Sequence, residues 1–372
     1  MCMNVNAFGF QERIVYQLKS LFETYGYAQY KMNKFEEYDL YARNRDFLLS
    51  DSVLTFTDFG GKLMALKPDV TLSIVKNSRD DITAQQKLYY REHVYRVDSG
   101  GRNFREMMQL GLEVIGCVDE YCILEVLTLA ARSLQAIGED CILDVSHLGI
   151  LSTVLATAGI PENRQKRALQ LIGEKNLHEL SDYCRTCGLP EESIVKLLKV
   201  LSTEGVPAKV LSDIRSFLPD TEAVDRLIAV FAAMEGSGLE NIFHFDFSAV
   251  GDTRYYNGVV FKGYIHGLSN SVLSGGQYNN LMRKMNRKSD AVGFAVYIDR
   301  LEQLEPRNAE YDVDTVLLYD ETTSMEVVMA YAQKLRAKNL SVMTQRQKPE
   351  TVLCRQTIRL RNGEVEILEN DA

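Results

Sequence analysis

The sequence lacks long apolar runs and a secretory signal. Its apolar stretches are short and interrupted by charges, and none approaches the roughly 20 uninterrupted residues that a membrane-spanning helix needs. The N-terminus, M-C-M-N-V-N-A-F-G-F-Q-E-R, has no basic region followed by an apolar core. We therefore expect a cytoplasmic protein that does not cross a membrane.

Cysteines in a disulfide pattern are also lacking. The seven cysteines form an odd, scattered set, which suits a reducing compartment better than a disulfide framework. Cys184 and Cys187 have the spacing of a zinc ligand pair, but no second pair lies at the usual distance, so packing between helices is the favoured role. We expect neither a metal nor a cofactor.

Several catalytic signatures are absent as well. The five histidines include no H-E-x-x-H, and the chain has no G-x-S-x-G, no Walker loop and no G-x-G-x-x-G. The net charge of −9 argues against a protein whose main task is to bind a phosphate backbone without sequence preference. With 372 residues, 46% of them apolar, the chain should fold into about two to three domains.

The apolar periodicity predicts a helix, a strand-rich region, a helical region and further strands along the chain. Helical spacing from about Phe8 to Tyr25 indicates an opening helix. We expect a core built from residues 1–147 and 241–305, a helical insertion over 148–240, and a small C-terminal α/β unit over 311–372.

The most informative segment is a predicted hairpin from K-L-Y-Y-R-E-H-V-Y-R to M-M-Q-L-G-L-E-V-I-G. Strand alternation places Gln109, Gly111 and Glu113 on one face. A buried amide and a buried carboxylate are costly unless they pair or bind something polar, and together they suit a small zwitterion. The alternative is that Glu113 merely pairs with Arg96 or Arg105.

The segment K-P-D-V-T places an acid and a hydroxyl, Asp69 and Thr71, near a predicted helix start. A carboxylate in this position is commonly a helix cap, which is the alternative to a binding role. The pattern alone leaves both interpretations open.

Two further segments contribute hydroxyls and glycines. Y-Y-N-G-V-V-F contains Tyr255 and Tyr256, and tyrosines in strands are usually core residues with a hydroxyl at the rim. The pair Gly275 and Gly276 in S-G-G-Q-Y predicts either a hairpin turn or a close approach of backbone to a ligand.

In their order along the chain, these segments resemble the catalytic core of class II aminoacyl-tRNA synthetases, and among them the histidyl-tRNA synthetase family. Y-G-Y-A-Q-Y-K-M-N-K-F-E resembles the first family motif, the hairpin the second, and A-V-G-F-A-V-Y-I-D-R-L the third. K-P-D-V-T is similar to the family's R-P-[ED]-x-T, Y-Y-N-G-V-V-F to Y-Y-T-G-x-V-F, and S-G-G-Q-Y-N to A-G-G-R-Y-D. The resemblance covers roughly residues 8 to 305. It implies an α+β fold with a mixed, mostly antiparallel sheet flanked by helices.

The resemblance implies a histidine pocket made by these seven residues: Asp69, Thr71, Arg96, Gln109, Glu113, Tyr255 and Tyr256. Asp69 and Thr71 would take the ammonium group, and Gln109 the amino-acid backbone. Glu113 and Tyr256 would take the imidazole, while Tyr255 would line the pocket. Arg96 and Arg300 would be ATP phosphate ligands, in keeping with the fork geometry of arginine.

The sequence departs from the family at several positions. The arginine of R-G-L-D, which stabilises charge on the reacting carboxylate, is replaced by Gly251. Arg254 is nearby, but three residues of strand displace it by about 10 Å and reverse its face. The first-motif proline is Asn33, the A-G-G-R-Y arginine is Gln277, and the second-motif loop is one residue short. Each departure argues against adenylation.

The C-terminal unit departs in the same direction. Residues 311–372 are too few for a complete anticodon-binding domain, and ten acidic residues there face eight basic ones. A protein that grips tRNA would be expected to show a basic footprint. We therefore expect no tRNA binding.

The departures favour the family's regulatory paralogues over its synthetases. Those paralogues are non-catalytic subunits that join a short-form ATP phosphoribosyltransferase at the first step of histidine biosynthesis. The resemblance implies histidine sensing for feedback inhibition, and a homodimer within a hetero-oligomer with that catalytic subunit. The alternatives are an active or divergent histidyl-tRNA synthetase and a separate amino-acid-adenylating or ligating enzyme.

Overall fold

The computed structural model describes residues 9–48, 52–97, 103–218, 222–250, 255–304, 311–361 and 364–370. Contacts divide the chain into two compact units, Met1–Leu304 and Glu305–Ala372. The helices described in the first unit are α1 (Phe10–Thr24), α2 (Tyr38–Arg43), α3 (Thr71–Asn77), α4 (Glu120–Ile137), α5 (Leu148–Ala158), α6 (Glu162–Gly173), α7 (Leu177–Thr186), α8 (Glu191–Leu201), α9 (Pro207–Arg215), α10 (Glu222–Ala232) and α11 (Asn279–Lys284). Short 3-10 helices are found at Arg45–Phe47, Glu240–Ile242 and Ile298–Leu304.

The strands of the first unit form one large and one small sheet. They are β1 (Ala28–Gln29), β2 (Phe35–Glu37), β3 (Thr55–Thr57), β4 (Leu63–Leu66), β5 (Gln85–Val97), β6 (Phe104–Gly116), β7 (Cys141–His147), β8 (Phe243–Phe245), β9 (Val259–Ile265), β10 (Leu273–Gln277) and β11 (Asp290–Tyr297). The large sheet has the order β1-β5-β6-β11-β10-β9-β7-β8, and the small one the order β2-β4-β3. Only the pairs β1–β5 and β7–β8 at the edges of the large sheet are parallel. The mixed, mostly antiparallel sheet implied by the resemblance is confirmed.

Helix α1 covers the sheet with the face that the periodicity predicted. Ile14, Leu18 and Phe22 are spaced four residues apart and are buried, whereas Leu21 is half-buried. The next long helix, α4, starts where the Asp119 carboxylate accepts a hydrogen bond from the backbone N–H of Cys122 at 2.9 Å. Its apolar face packs into the same core as α1.

One strand is shorter than the sequence indicates. The apolar run N-I-F-H-F-D-F-S-A-V yields only the three residues of β8, Phe243–Phe245. Asp246 ends the strand because its carboxylate accepts hydrogen bonds from the backbone N–H and the hydroxyl of Ser248, at 2.7 and 2.6 Å. A side chain that bonds its own backbone two residues on forms a turn instead of continuing a ladder.

The pair Gly275 and Gly276 lies within strand β10, so the hairpin-turn interpretation is wrong. Close packing between strands demands glycine here. A Cβ on Gly275 would lie 2.4 Å from the Gly293 carbonyl oxygen, and one on Gly276 would lie 2.6 Å from the Val259 carbonyl oxygen. Both contacts are much shorter than van der Waals distances.

The second unit is a small α/β fold. It comprises β12 (Val313–Tyr319), α12 (Met325–Arg336), β13 (Val342–Gln345), β14 (Cys354–Arg361) and β15 (Glu364–Asn370). The strand order is β13-β12-β14-β15, with the first two pairs parallel and the last antiparallel. Its core is small and includes Leu317, Val328, Leu335, Ile358 and Leu360.

Two negative findings concern the described residues alone. No helix among them is long and apolar enough to cross a bilayer. Nor do the described ranges contain a group of His, Cys, Asp and Glu residues that could hold a metal ion. Cys184 is buried in the main core, and Cys187 is a half-buried free thiol that packs against the same core.

Candidate functional site

A cavity of about 510 Å³ lies over the middle of the large sheet. It is lined by every residue that the sequence predicts for histidine or ATP: Asp69, Thr71, Arg96, Gln109, Glu113, Tyr255, Tyr256 and Arg300. The cavity exists partly because strand β11 has small residues, Gly293 and Ala295, on the face below it. A Cβ on Gly293 would lie 1.9 Å from the Glu113 carboxylate, so this glycine leaves room for the acid.

Glu113 lies on the cavity floor with no positive partner. Both oxygens accept hydrogen bonds, from the Thr71 hydroxyl at 2.8 Å and from the Tyr278 hydroxyl at 2.6 Å. Among the described residues Glu113 forms no ion pair, and Arg105 is exposed, so the interpretation that Glu113 merely pairs with Arg96 or Arg105 is wrong. Burial raises the pKa of Glu113 to about 8, and the two hydroxyls oppose that shift only in part.

Asp69 is both a helix cap and a cavity residue. One carboxylate oxygen accepts a hydrogen bond from the backbone N–H of Leu72 at 2.8 Å, at the start of α3. The other lies 3.8 Å from the Arg96 guanidinium. Burial raises the pKa of Asp69, and Arg96 opposes this shift. The two interpretations of this residue therefore do not exclude each other.

Polar contacts hold the K-P-D-V-T segment against strand β5 of the hairpin. The Arg96 Nε donates a hydrogen bond to the Pro68 carbonyl oxygen at 2.7 Å. The Lys67 ammonium, with 1% of its side chain exposed, lies 2.5 Å from the Glu92 carboxylate. Glu92 also accepts a hydrogen bond from the backbone N–H of Met32 at 3.2 Å. These contacts hold Asp69 and its neighbours against strand β5.

Three tyrosines form an aromatic wall beside the carboxylates. The ring centroid of Tyr255 lies 4.8 Å from that of Tyr256 and 5.6 Å from that of Tyr278. Burial raises the pKa of all three hydroxyls well above the ordinary value, so they remain protonated at neutral pH. Tyr278 thus stays a hydrogen-bond donor toward Glu113.

Another part of the cavity wall is basic. The Arg300 guanidinium stacks 4.1 Å from the centre of the Tyr297 ring and donates to the Ser271 carbonyl oxygen. The Tyr297 hydroxyl lies 2.5 Å from the Ser274 hydroxyl. Lys262 lines the same cavity. Carboxylates and cations thus line one cavity, as a zwitterionic ligand requires.

Two of the family departures lie away from the cavity wall, and the others fall outside the described residues. Gly251 and Arg254 are outside the described residues, as are residues 98–102 of the second-motif loop. Gln277 accepts a hydrogen bond from the backbone N–H of Val259 at 3.0 Å, and Asn33 is an exposed loop residue. Neither Gln277 nor Asn33 lines the cavity.

Sequence reasoning missed six polar residues of the cavity: Tyr90, Lys262, Ser271, Ser274, Tyr278 and Tyr297. Tyr278 ends the S-G-G-Q-Y segment, which the sequence already singles out. Tyr297 and Ser274 meet only through strand pairing, since β10 and β11 are neighbours.

Comparison with known proteins identifies relatives of two kinds. Residues 6–301 match the family model described as histidyl-tRNA synthetase. A protein of Oceanobacillus iheyensis named ATP phosphoribosyltransferase regulatory subunit is 25% identical over 89% of this chain and 84% of its own length. A histidine–tRNA ligase of Methanocaldococcus jannaschii is 29% identical over 86% of this chain and 78% of its own length.

Solved structures share the fold. One from Bacillus halodurans, described as an ATP phosphoribosyltransferase regulatory subunit/histidyl-tRNA synthetase, has a TM-score of 0.73 at 24% identity and covers 90% of this chain and 88% of its own. A chain in an ATP phosphoribosyl transferase complex from Thermotoga maritima has a TM-score of 0.61 at 20% identity and covers 76% of this chain and 96% of its own. At these identities the likeness concerns the fold alone.

Proposed function

The chain belongs to the histidyl-tRNA synthetase family, and from this membership we propose that it is a non-catalytic regulatory subunit of ATP phosphoribosyltransferase that binds histidine in its cavity. The observation that supports this function best is the pairing of carboxylates and cations around one cavity of about 510 Å³. A small amino acid with a basic side chain matches that distribution of charge.

In the proposed complex the ammonium group, the imidazole and the amino-acid backbone of histidine each lie beside a side chain that can bind them. The ammonium group lies by Asp69, whose carboxylate has, among the described residues, only the Arg96 guanidinium at 3.8 Å to compensate its charge. The imidazole lies by Glu113, which can accept an N–H hydrogen bond whichever nitrogen carries the proton. Tyr256 and Tyr255 supply the aromatic wall. Gln109, with 3% exposure, offers both a donor and an acceptor to the amino-acid backbone.

The substitution at Gly251 supports a role without catalysis. An arginine that stabilises charge on a reacting carboxylate supplies a large share of the rate in such a reaction, and glycine has no charge to offer. Arg96 and Arg300 still line the cavity. We propose these two arginines as vestigial ligands of the ATP phosphates.

The names of two relatives support the proposal of a partner subunit. The Oceanobacillus iheyensis protein is named as a regulatory subunit, and the Thermotoga maritima chain is part of an ATP phosphoribosyl transferase complex. We propose a short-form catalytic subunit as the partner of this chain and the cytoplasm as their compartment. Histidine would shift the equilibrium between active and inactive partner states through a coupling free energy of about 1–3 kcal/mol. By linkage, substrates of the partner would oppose histidine binding equally.

The small sheet supports the homodimer. Phe35 and Phe56 expose 47% and 38% of their surfaces there, and their rings stack edge to face at 5.4 Å. Exposed apolar side chains clustered on one sheet are typical of an interface. Sedimentation of Phe35→Ser should show a weaker dimer than that of the unaltered chain, whereas a monomeric unaltered chain would contradict the proposal.

Calorimetric titration with L-histidine tests the sensor role. The full chain, alone or with the partner transferase, should bind L-histidine, and Asp69→Asn should weaken the affinity by about tenfold or more because the ammonium group loses its counter-charge. Asp39→Asn is the matched control, since Asp39 is exposed and its one ion pair among the described residues is with Arg43 on α2. Absence of histidine binding in both settings would refute the sensor role.

The second candidate is a histidyl-tRNA synthetase, favoured by the 29% identity to the Methanocaldococcus jannaschii ligase. Pyrophosphate exchange that depends on histidine and ATP separates the two functions. We expect none from this chain. Robust exchange with histidine would overturn the regulatory proposal, and exchange with a different amino acid would indicate another adenylating enzyme.

A further inference from the structure

Lys262 occupies a cavity position that the proposed histidine contacts do not use. It lies on β9 directly opposite Ser274 of β10, which in turn lies opposite Ala295 of β11. Residues that face each other across antiparallel strands point to the same side of the sheet. Lys262, Ser274 and Ala295 therefore share the face that forms the cavity floor, and all three line the cavity.

Lys262 is a half-buried residue, and its ammonium group has no anionic partner among the described residues. On its other side it lies opposite Asp144 of β7. That carboxylate is engaged elsewhere, because the Asp144 Oδ1 lies 2.8 Å from the His244 Nδ1. A positive charge that is partly withdrawn from water and unpaired favours binding of an anion.

Arg300 adds a second cation by way of Ser274 and Tyr297. The Ser274 hydroxyl meets the Tyr297 hydroxyl at 2.5 Å, and the Arg300 guanidinium stacks on the ring of Tyr297. Ring stacking fixes the plane of the guanidinium while its remaining N–H groups stay available. Lys262 and Ser274 thus lie on adjacent strands, and Arg300, in the 3-10 segment after β11, adds the second cation to this part of the cavity wall.

We propose that Lys262, together with Arg300, forms a subsite for an oxyanion of the bound ligand. The group is either the carboxylate of the amino acid or a phosphate of a nucleotide, which share the same chemistry of a delocalised negative charge. For histidine, the subsite supplies the counter-charge to the carboxylate that Gly251 cannot supply. The inference rests on the proposed function only if the oxyanion is the carboxylate of histidine.

The test titrates the full chain with L-histidine, with histamine, which lacks the carboxylate, and with inorganic pyrophosphate. Lys262→Met removes the charge at similar length, Lys262→Arg retains it, and Lys166→Met makes the same charge change on the exposed surface of α6. Thermal unfolding of each variant verifies that it folds.

A carboxylate subsite predicts that Lys262→Met binds L-histidine at least about tenfold more weakly while histamine binding is unchanged. A phosphate subsite predicts the same loss for pyrophosphate alone. In either case Lys262→Arg should restore binding and Lys166→Met should leave it intact.

The outcomes separate this inference from the proposed function. Unchanged L-histidine and pyrophosphate binding by Lys262→Met would overturn the subsite and leave histidine sensing untouched. Pyrophosphate binding that depends on Lys262, in a chain that binds no histidine, would support the subsite and refute the sensor. Failure of the unaltered chain to bind either ligand would refute both.

Discussion

Gly293 lies directly opposite Glu113 in the β11–β6 ladder, and the carboxylate occupies the space that any side chain at position 293 would need. The distance from a Cβ on Gly293 to the nearer carboxylate oxygen would be 1.9 Å. Gly293→Ala should therefore displace Glu113 from the Thr71 and Tyr278 hydroxyls. We expect a destabilisation of about 1–3 kcal/mol from overpacking, and loss of histidine binding. Denaturant unfolding and calorimetry measure the two effects.

Gly173→Ala is the control for that substitution. Gly173 ends α6, and a Cβ on it would meet Val250 at 3.6 Å, an ordinary contact. Alanine favours a helix more than glycine does, so stability should be unchanged or slightly higher. Equal effects of both glycine substitutions would contradict the role assigned to Gly293.

The raised pKa of Glu113 makes stability depend on pH. Between its ordinary value of 4.5 and about 8, the side chain is protonated in the folded state and ionised in the unfolded state. Unfolding then releases a proton, so stability decreases as pH rises through this window and levels off above it. Each pH unit within the window costs up to about 1.4 kcal/mol.

Glu113→Gln should remove that contribution. The free energy of unfolding of the variant, minus that of the unaltered chain, should increase with pH until about 8. Glu162→Gln, on the exposed first turn of α6, should give a difference that does not vary with pH. Denaturant titrations at several pH values provide the comparison, and parallel profiles for the Glu113 variant would be inconsistent with a buried, protonated carboxyl group.

Tyr278→Phe should destabilise the fold in a pH-dependent way. The Tyr278 hydroxyl donates to Glu113 at 2.6 Å and lowers the pKa of that carboxyl group. Its loss should cost about 1–3 kcal/mol once Glu113 is ionised and less when it is protonated. Unfolding at about pH 6 and about pH 9 tests this difference. Ser133→Ala loses a buried hydrogen bond to the neutral Leu129 carbonyl oxygen, so its cost should be the same at both pH values.

The buried pair of Lys67 and Glu92 should respond differently to single and double substitution. Lys67→Met leaves the Glu92 carboxylate without its cation and should destabilise the chain by about 3–5 kcal/mol. Adding Glu92→Gln removes the stranded charge, and the amide oxygen can still accept from the Met32 N–H. The double variant should therefore recover most of the loss. If the double variant lost as much stability as the two single variants together, the coupling between Lys67 and Glu92 would be refuted.

The fold was largely accessible from the sequence because periodicity is a local property. The hairpin of β5 and β6 and the helix from Glu120 to Ile137 follow from residues only a few positions apart. Two predictions about the fold were wrong for reasons that apolar periodicity does not reveal. The Asp246 turn shortens β8, and Gly275 with Gly276 serves close strand packing in place of a turn.

The sequence identified many residues of the site but not the contacts that these residues make with one another. Strand alternation places Gln109 and Glu113 on one face, and the family resemblance supplied the remaining residues. The partners of Glu113 could not be deduced from spacing, since Thr71 is 42 residues away and Tyr278 is 165 residues away in the chain. Lys262 was missed because its position at the cavity depends on the pairing of β9 with its neighbouring strands, which the sequence does not reveal.

The parallel pairing of β7 and β8 has a consequence for the helices between them. The chain leaves β7 after His147 and enters β8 at Phe243, yet Leu143 and Phe243 are register partners. Neighbouring parallel strands cannot be joined by a tight turn and require a crossover of about a dozen residues or more. Helices α5 to α10 are that crossover, much enlarged. A trimmed chain must keep at least one of them, because a short loop in their place would detach β8 from the sheet.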